Sequence, residues 1–313
     1  MNQTNPFYVK LSAANPPAGP NLPNELDKSY NCKFIVTSFL IVLFFFLFNN
    51  AYAATVVLPR LTTQITTKIR QYPKLLCGVY IKPSWLPGEI SINGDTAFPA
   101  ASLIKIPIAV ALLKEIDKGT VSWDKTLILK RYHYASGAGY LRTKKTGTKV
   151  KLKEAFKLML TISDNTASNM IIDLLGGIII TNEKISKLGL KNTKLVSLLG
   201  DFKGTNKTSP HDLANLLEKS LEGNILRDES RKILKKTLLA VNNKSLIKKG
   251  LGRYTKFAHK TGTIGICVGD AGIVYLPWGK RIAISIIVRR PFNSLMGQKV
   301  IREISKLVYQ HLG

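Results

Sequence analysis

The sequence predicts an α/β fold of the α+β sandwich type: an antiparallel sheet flanked by the two terminal helices, with an inserted all-helical lobe. Strand-like segments near residues 75–92 and 255–289 enclose a long helical middle, and an amphipathic helix is indicated at each end. Strands from both ends most simply form one sheet, which the terminal helices can cover. We therefore expect a helical lobe of about residues 100–245 within an α/β lobe of residues 54–99 and 246–313. A cleft between two lobes is a natural site.

The first elements follow from local patterns. Apolar residues at helical spacing predict a helix over Thr55–Tyr72, and two short apolar segments, Leu75–Ile81 and Glu89–Ile92, predict strands. The apolar run Ala100–Leu113 predicts a buried helix that stops before Gly119.

The rest of the chain reads as helices and then strands. From about Ser102 to Val241 the pattern contains no convincing strand, and four further helices are predicted there: Val150–Leu160, Thr166–Leu175, Ser209–Gly223 and Asp228–Val241. In the second of these predictions, Gly176-Gly177 is the C-terminal stop. In the third, Ser209-Pro210 is an N-cap followed by proline at the first helical position. The last elements are three strands and a closing helix: Thr255–Thr261, Gly269–Leu276, Arg281–Arg289 and Leu295–Leu312.

Composition and charge limit the class of protein. The 313 residues are 45% hydrophobic, which suits one large domain or two intertwined ones with a real core. The formal charge of +27 is extreme, but its Lys and Arg residues are spread thinly and no nucleic-acid motif occurs. We expect a solvated basic surface on a monomer without a nucleic-acid partner. Long-range attraction to carboxylates of cell-wall material is a further hypothesis.

The N-terminus has the pattern of an export signal or signal-anchor over residues 1–53. A polar lead ending at Lys33 precedes the uncharged apolar run Phe34–Phe48, and Ala51-Tyr52-Ala53 follows in the A-x-A arrangement. No charge follows until Arg60, so an uncleaved segment at residues 34–48 could tether the protein to a membrane. Either way we expect residues 54–313 to be exported, in a periplasmic or extracytoplasmic location.

The cysteines give little chemistry. Cys77 and Cys267 remain after the predicted export segment, and their compartment would permit a disulfide, although nothing in the spacing supports one. Two buried free thiols on strands are the default expectation. No metal site or cofactor is predicted.

Three short motifs carry candidate chemistry: Ser102-x-x-Lys105 at a helix start, Ser163-Asp164-Asn165 between helices, and Lys260-Thr261-Gly262 on a strand. Each alone has an ordinary explanation, namely an N-cap with a snorkelling lysine, an Asx turn, and an edge-strand lysine beside a glycine bulge. At a separation of three residues, however, the hydroxyl of Ser102 and the amine of Lys105 can touch. The ordered trio is the signature of class A β-lactamases and penicillin-binding proteins.

The sequence resembles the class A β-lactamase family, within the superfamily of serine β-lactamases and penicillin-binding proteins, over roughly Thr55–Leu312. Four segments carry the resemblance: Phe98–Pro107, Gly137–Leu141, Ile162–Asn169 and Ala258–Thr263. It implies an exported serine hydrolase that opens β-lactams through a Ser102 acyl-enzyme. Two alternatives stay open, a D,D-peptidase acting on cell-wall peptides and a slowly deacylating penicillin-binding sensor.

The resemblance also implies roles for the motif residues. Ser102 would be the nucleophile, with Lys105 as its base because burial and the nearby cation Lys260 lower the lysine pKa. Ser163 would relay a proton to the leaving nitrogen. The backbone N–H groups of Ser102 and Thr263 would form an oxyanion hole. Four residues would bind the substrate: Asn165, Lys260, Thr261 and Gly262.

Two departures from the family pattern affect turnover and substrate binding. The family's deacylating glutamate is absent from the corresponding region, Lys194–Pro210, where Asp201 is the only acid. Asp201 is either a weak substitute or, as its shorter side chain favours, a turn or cap residue. The family's carboxylate-binding guanidinium is not identifiable, and Arg289 and Arg290 are either stand-ins or surface charges.

Overall fold

The computed structural model describes residues 56–313, and a single antiparallel sheet forms the centre of this part. Its five strands are β1 (Leu76–Pro83), β2 (Ile90–Ile92), β7 (Lys256–Ile264), β8 (Cys267–Tyr275) and β9 (Arg281–Arg289). Their order across the sheet is β2-β1-β9-β8-β7, so strands from the two ends of the chain pair at β1 and β9. This confirms the predicted fold class.

Helices from the two ends of the described chain cover one face of this sheet. α1 (residues 56–70) contributes Leu61 and Ile65, and α9 (Met296–Leu312) contributes Val300 and Ile304 to a core shared with β1 and β9. The apolar stripe of each helix repeats at three- and four-residue steps, so burial against the sheet explains why these segments are helical.

The opposite face carries the helical part and the second core. The helices are α2 (Lys105–Asp117), α3 (Leu152–Thr161), α4 (Asn165–Leu174), α5 (Gly177–Ser186), α6 (Pro210–Leu221) and α7 (Asp228–Leu239). The short α8 (Ile247–Gly250) packs instead against α9, in the core of the first face. Helix α2 is buried nearly all round, from Ile106 to Leu113. A helix this apolar can only be central, and α3, α4, α5, α6 and α7 surround it.

Local signals set several helix ends as predicted. The Ser209 hydroxyl accepts a hydrogen bond from the Asp212 amide, which caps α6, and Pro210 occupies its first position. Gly176 follows α4 in the left-handed region at φ 103°, which glycine adopts without a steric penalty.

The middle of the chain differs from the prediction in three ways. Short strands occur there after all: β3 (Phe98–Pro99) pairs with β6 (Lys207–Thr208), and β4 (Thr126–Ile128) pairs with β5 (Lys149–Lys151). They are two or three residues long, too short to leave a periodic pattern. Helix α5 was not predicted, and the segment containing Ser102 is a 3-10 turn (Ala101–Ile104) that precedes α2 instead of being part of it.

Both cysteines of the described part are free and buried on strands, as expected by default. Cys77 pairs with Val288 and Cys267 with Arg289, so they flank β9 at neighbouring positions and face opposite sides of the sheet. Burial raises the pKa of each thiol to about 12.

No helix among residues 56–313 is long and apolar enough to cross a membrane. The predicted export segment, residues 1–53, and its apolar run at 34–48 lie outside the described residues.

Candidate active site

The 3-10 turn places Ser102 at the meeting point of the sheet and the helical part. Ala101, directly before it, has φ 46°, a conformation that costs a non-glycine residue energy and is frequent where a backbone is held for function. Helix α2 begins three residues after the serine, at Lys105. The predicted juxtaposition is present: Lys105 Nζ lies 3.2 Å from Ser102 Oγ.

Lys105 is fully buried and its amine has four polar neighbours. Besides Ser102 Oγ, they are the Ser163 backbone oxygen at 2.6 Å, the Asn165 Oδ1 at 2.7 Å and the Ser163 Oγ at 3.0 Å. The carbonyl oxygens of Ser163 and Asn165 can only accept hydrogen bonds. In its neutral form the amine can give them its two N–H groups, and its single lone pair is then left to accept from one hydroxyl at a time, that of Ser102 or that of Ser163.

The surroundings favour the neutral amine. Burial, together with the nearby Lys260 cation, holds the pKa of Lys105 well below its ordinary value of 10.5, and the Asp164 carboxylate opposes this shift. The amine has no ion-pair partner at hydrogen-bond distance, so nothing there holds it in the charged form.

The turn between α3 and α4 supplies Ser163, Asp164 and Asn165. Ser163 has φ 62°, which turns its hydroxyl and its carbonyl oxygen toward the same amine. Asn165 donates from Nδ2 to the backbone oxygen of Ser136 at 2.8 Å while its Oδ1 contacts Lys105. In this structure Asn165 therefore positions the lysine and the 135–141 loop.

Asp164 holds that loop in place, a role that sequence reasoning did not give it. Its fully buried carboxylate accepts hydrogen bonds from the amides of Tyr140 and Leu141, and from the Ala167 amide as the N-cap of α4. A Cβ at Gly139 would lie 2.2 Å from the Asp164 Cγ, so only glycine fits there. The Gly-x-Gly pattern before Tyr140 was the available signal, but nothing in the sequence alone links it to Asp164.

Strand β7 forms the other wall of the site. Lys260, Thr261 and Thr263 line a cavity of about 330 Å³ together with Ser102 and Ser163. The Lys260 ammonium is almost completely buried, and burial lowers its pKa to about 8, against the Asp270 carboxylate, which raises it. Asn242 and Asn243 also line this cavity and were missed, since two asparagines after a helix read as an ordinary loop.

Gly262 lies against the 3-10 turn that holds Ser102, which we call the nucleophile turn after the predicted role of Ser102, and it does not line the cavity. A Cβ at this position would lie 3.0 Å from the Leu103 amide nitrogen and 3.1 Å from the Ser102 amide nitrogen. The missing side chain lets β7 approach the turn, and Thr263, the next residue, lines the same cavity as Ser102. This close approach is what an oxyanion hole from these two residues would require.

A buried pair behind β7 was also missed. His259 Nδ1 lies 2.8 Å from Asp270 Oδ1, and the Ile247 amide donates to the other carboxylate oxygen at 3.1 Å. Both side chains are buried, and burial raises the pKa of Asp270. His259 precedes the motif lysine, but its partner is on the next strand and no short-range pattern marks it.

The segment Lys194–Pro210 is held by its own polar residues. The Asp201 carboxylate accepts hydrogen bonds from the Thr205 amide and hydroxyl and from the Asn206 amide, at 2.8–3.0 Å. Asn169 of α4 fixes the same segment through the backbone of Leu199. Asp201 is therefore engaged as a loop cap, and it is not among the residues that line the cavity.

The two arginines at the end of β9 differ from each other. Arg289 is exposed, whereas Arg290 is only 6% exposed, so its interpretation as a surface charge is wrong. Its guanidinium donates to the backbone oxygens of Ser294 and Ile264 and to Gln298 Oε1. These contacts tie the end of β7 to α9, and they engage Arg290 away from the cavity.

An antiparallel sheet carrying a buried lysine, a helical part carrying a serine and a lysine in contact, and a cavity between them define a serine hydrolase of the β-lactamase type. Comparison with known families agrees. The Beta-lactamase2 model, of the β-lactamase enzyme family, matches residues 60–312. The chain belongs to this family.

Individual relatives span most of the described chain. The β-lactamase VEB-1 of Pseudomonas aeruginosa is 27% identical over 88% of this chain and 98% of its own length. The extended-spectrum β-lactamase PER-1 of the same organism is 26% identical over 72% of this chain and 80% of its own. Among solved structures, a mutant of PBP-A in its acyl-enzyme complex with penicillin G is 42% identical, with a TM-score of 0.79 over 81% of this chain and 96% of that one.

Proposed function

We propose that this enzyme is acylated by β-lactams at Ser102, with Lys105 as the general base. The observation that carries the proposal is the contact of a buried, deprotonatable amine with the hydroxyls of Ser102 and Ser163, at 3.2 and 3.0 Å. The solved PBP-A structure with penicillin G and the curated β-lactamases support the choice of substrate class.

In the proposed reaction, Ser102 Oγ attacks the lactam carbonyl carbon while its proton passes to Lys105 Nζ. The tetrahedral oxyanion is stabilised by the backbone N–H groups of Ser102 and Thr263. The C–N bond then breaks, and the proton reaches the leaving nitrogen through the Ser163 hydroxyl. Lys260 and Thr261 bind the substrate carboxylate, since a buried cation and a hydroxyl suit that anion.

We further propose that the acyl-enzyme is long-lived. Hydrolysis of the ester needs a base to activate water, and no Asp or Glu side chain lines the cavity within the described residues. This feature favours the second candidate function, a D,D-peptidase or penicillin-binding enzyme acting on cell-wall peptides, over fast β-lactam hydrolysis. Export directed by residues 1–53, with residues 34–48 as a possible tether, belongs to this proposal and rests on the sequence pattern alone.

Labelling with a fluorescent penicillin tests the acylation. The purified protein should be labelled covalently, Ser102→Ala should abolish labelling, and Ser186→Ala, an exposed serine at the end of α5, should label at the wild-type rate. A chromogenic cephalosporin should give a burst of about one equivalent per enzyme followed by slow colour development.

The outcomes separate the candidates. Sustained rapid colour development would contradict the long-lived intermediate and leave a β-lactamase. Stable labelling together with cleavage of a D-Ala-D-Ala peptide would identify the peptidase. Absence of labelling in a folded wild-type protein would refute acylation at Ser102 altogether.

A further inference from the structure

A second cavity, of about 690 Å³, lies at the opposite end of β7 from the Lys260 motif. Its walls come from α7, the start of β7, the β8–β9 hairpin and the end of α9. Lys256, which lines this cavity, lies four positions before Lys260 on β7, a distance of about 13 Å along an extended strand. We call it the distal cavity.

The distal cavity is lined by aromatic rings that the fold leaves exposed. Trp278 is 93% exposed and Tyr254 is 90% exposed, while Tyr275 and Tyr309 form the deeper surface. Trp278 occupies the left-handed region at φ 54°, at the tip of the hairpin. A large aromatic residue that buries little of its own surface and sits in an unfavourable backbone conformation contributes little to the stability of the fold.

The charge of the distal cavity is positive. Lys235, Lys256 and Lys280 line it, and no Asp or Glu side chain of the described residues does. Glu222 contacts its walls, because it accepts a hydrogen bond from the Tyr275 hydroxyl at 2.7 Å. Glu222 is neutralised by Lys235 at 3.3 Å and Arg281 at 3.0 Å, so its charge does not offset the other lysines.

A basic path connects the distal cavity to the 330 Å³ cavity lined by Ser102 and Lys260, which we call the catalytic cavity. Lys235 and Leu239 of α7 line the distal cavity and also a shallow depression that includes Lys232, Lys236 and Ala240. The next residue, Val241, lines the catalytic cavity. The end of α7 thus runs from one site to the other, beside the strand that carries Lys260.

We propose that the distal cavity binds a carboxylate-bearing glycan strand of the cell-wall type. Exposed indole and phenol rings offer flat apolar faces to sugar rings, and the surrounding lysines offer cations to carboxylates. The concave shape fits a segment of a polymer better than the flat surface of a bilayer, and the short distance along β7 to Lys260 suits a polymer that also carries the peptide to be cleaved. The inference deepens the proposed function and rests on it for that last step.

Co-sedimentation of the full chain with insoluble peptidoglycan tests the proposal. Trp278→Ala/Tyr254→Ala should weaken binding about tenfold, the effect of losing two aromatic platforms that each contribute modestly. Phe292→Ala, which removes another exposed aromatic ring outside the distal cavity, should bind like wild type. Equal binding by the double variant and wild type, or equal loss in the control, would overturn the proposal.

A second pair of variants tests the charge. Lys256→Gln/Lys280→Gln should weaken binding and reduce its sensitivity to salt, whereas Lys153→Gln/Lys157→Gln, the same loss of charge on exposed positions of α3, should change neither. Retention on neutral chitin as strong as on peptidoglycan would overturn the carboxylate requirement. Stronger binding to anionic vesicles or a single-stranded oligonucleotide than to peptidoglycan would overturn the ligand class.

The two proposals fail separately. Ser102→Ala should bind peptidoglycan normally, and Trp278→Ala/Tyr254→Ala should react with fluorescent penicillin at the wild-type rate. Normal penicillin labelling without any peptidoglycan binding would remove the distal site and leave the proposed function. Peptidoglycan binding that depends on Trp278 and Tyr254, without penicillin labelling, would refute the proposed function and leave the distal site.

Discussion

Replacing Gly262 by alanine should slow acylation while leaving the protein folded. The new Cβ would lie 3.0 Å from the Leu103 amide nitrogen and 3.1 Å from that of Ser102. Ordinary van der Waals contact begins near 3.4 Å, so β7 and the nucleophile turn must separate by several tenths of an ångström. Both partners are backbone, which cannot move aside as the end of a flexible side chain can.

The size of the effect follows from this displacement. A misplacement of about 1 Å costs on the order of 100-fold in rate, so a shift of half that distance should cost about tenfold. Overpacking of this kind destabilises by about 1–3 kcal/mol. In a domain of this size, each kcal/mol lowers Tm by about 2–4 °C.

Stopped-flow acylation by a fluorescent penicillin, with Tm measured in parallel, checks both numbers. Gly269→Ala is the matched control because Gly269 pairs with Gly262 across β7 and β8. Its Cβ would meet the Leu103 side chain at 2.9 Å and the Ile286 backbone oxygen at 3.0 Å, but not the Ser102 backbone. It should destabilise to a similar degree and acylate at close to the wild-type rate. A folded Gly262→Ala protein with undiminished acylation would refute the view that this approach positions the nucleophile.

Three further predictions concern the titrating groups. The acylation rate, measured over a pH series, should rise as Lys105 loses its proton, at a pH below the ordinary range of lysine. It should fall above pH 8, where Lys260 loses the charge that holds the substrate carboxylate. Lys105→Arg, which cannot deprotonate, should lower the acylation rate by at least about 100-fold, whereas Lys114→Arg on the same helix should not. Asp270→Asn removes the carboxylate that raises the pKa of Lys260, so the fall in acylation rate should begin below pH 8. Tm should also fall, because the buried His259–Asp270 pair loses one partner. An unchanged pH for this fall would contradict the coupling of Asp270 to Lys260. Asp201→Asn should leave the lifetime of the acyl-enzyme within about twofold, because general base catalysis is worth about 100-fold or more where it operates; a large change in release of the penicillin label would show that Asp201 activates water.

Much of the fold was predictable because its signals are local. Examples are the short apolar run of β1, the β-branched run of β9, the apolar stripe of α9 and the Ser209-Pro210 cap, each of which indicates its structure within a few residues. Helix α5 is the counterexample. Its run Ile178-Ile179-Ile180-Thr181 is β-branched and follows two glycines, so local propensity opposes the helix that packing against α2 and α4 imposes.

The candidate site was predictable only where a motif joined distant segments. Ser102 and Lys105 are neighbours on one turn, but Ser163 and Lys260 reach them through the fold, and the family resemblance alone placed them together. Residues outside the motifs had no such guide. Arg290 reads as one of two surface charges because its acceptor, the Ile264 backbone oxygen, lies 26 residues away.

Strand β7 is the last strand of the sheet on the side of the catalytic cavity. A terminal strand has backbone donors and acceptors that no further strand of its own sheet satisfies, and it invites pairing with any extended chain. Here the 3-10 turn at Ala101–Ile104 and α7 both pack against β7 and so limit the approach of a neighbouring protein molecule to this edge. Under the proposed peptidase function, the edge that would be an aggregation hazard in another protein would be a template for the backbone of the substrate peptide.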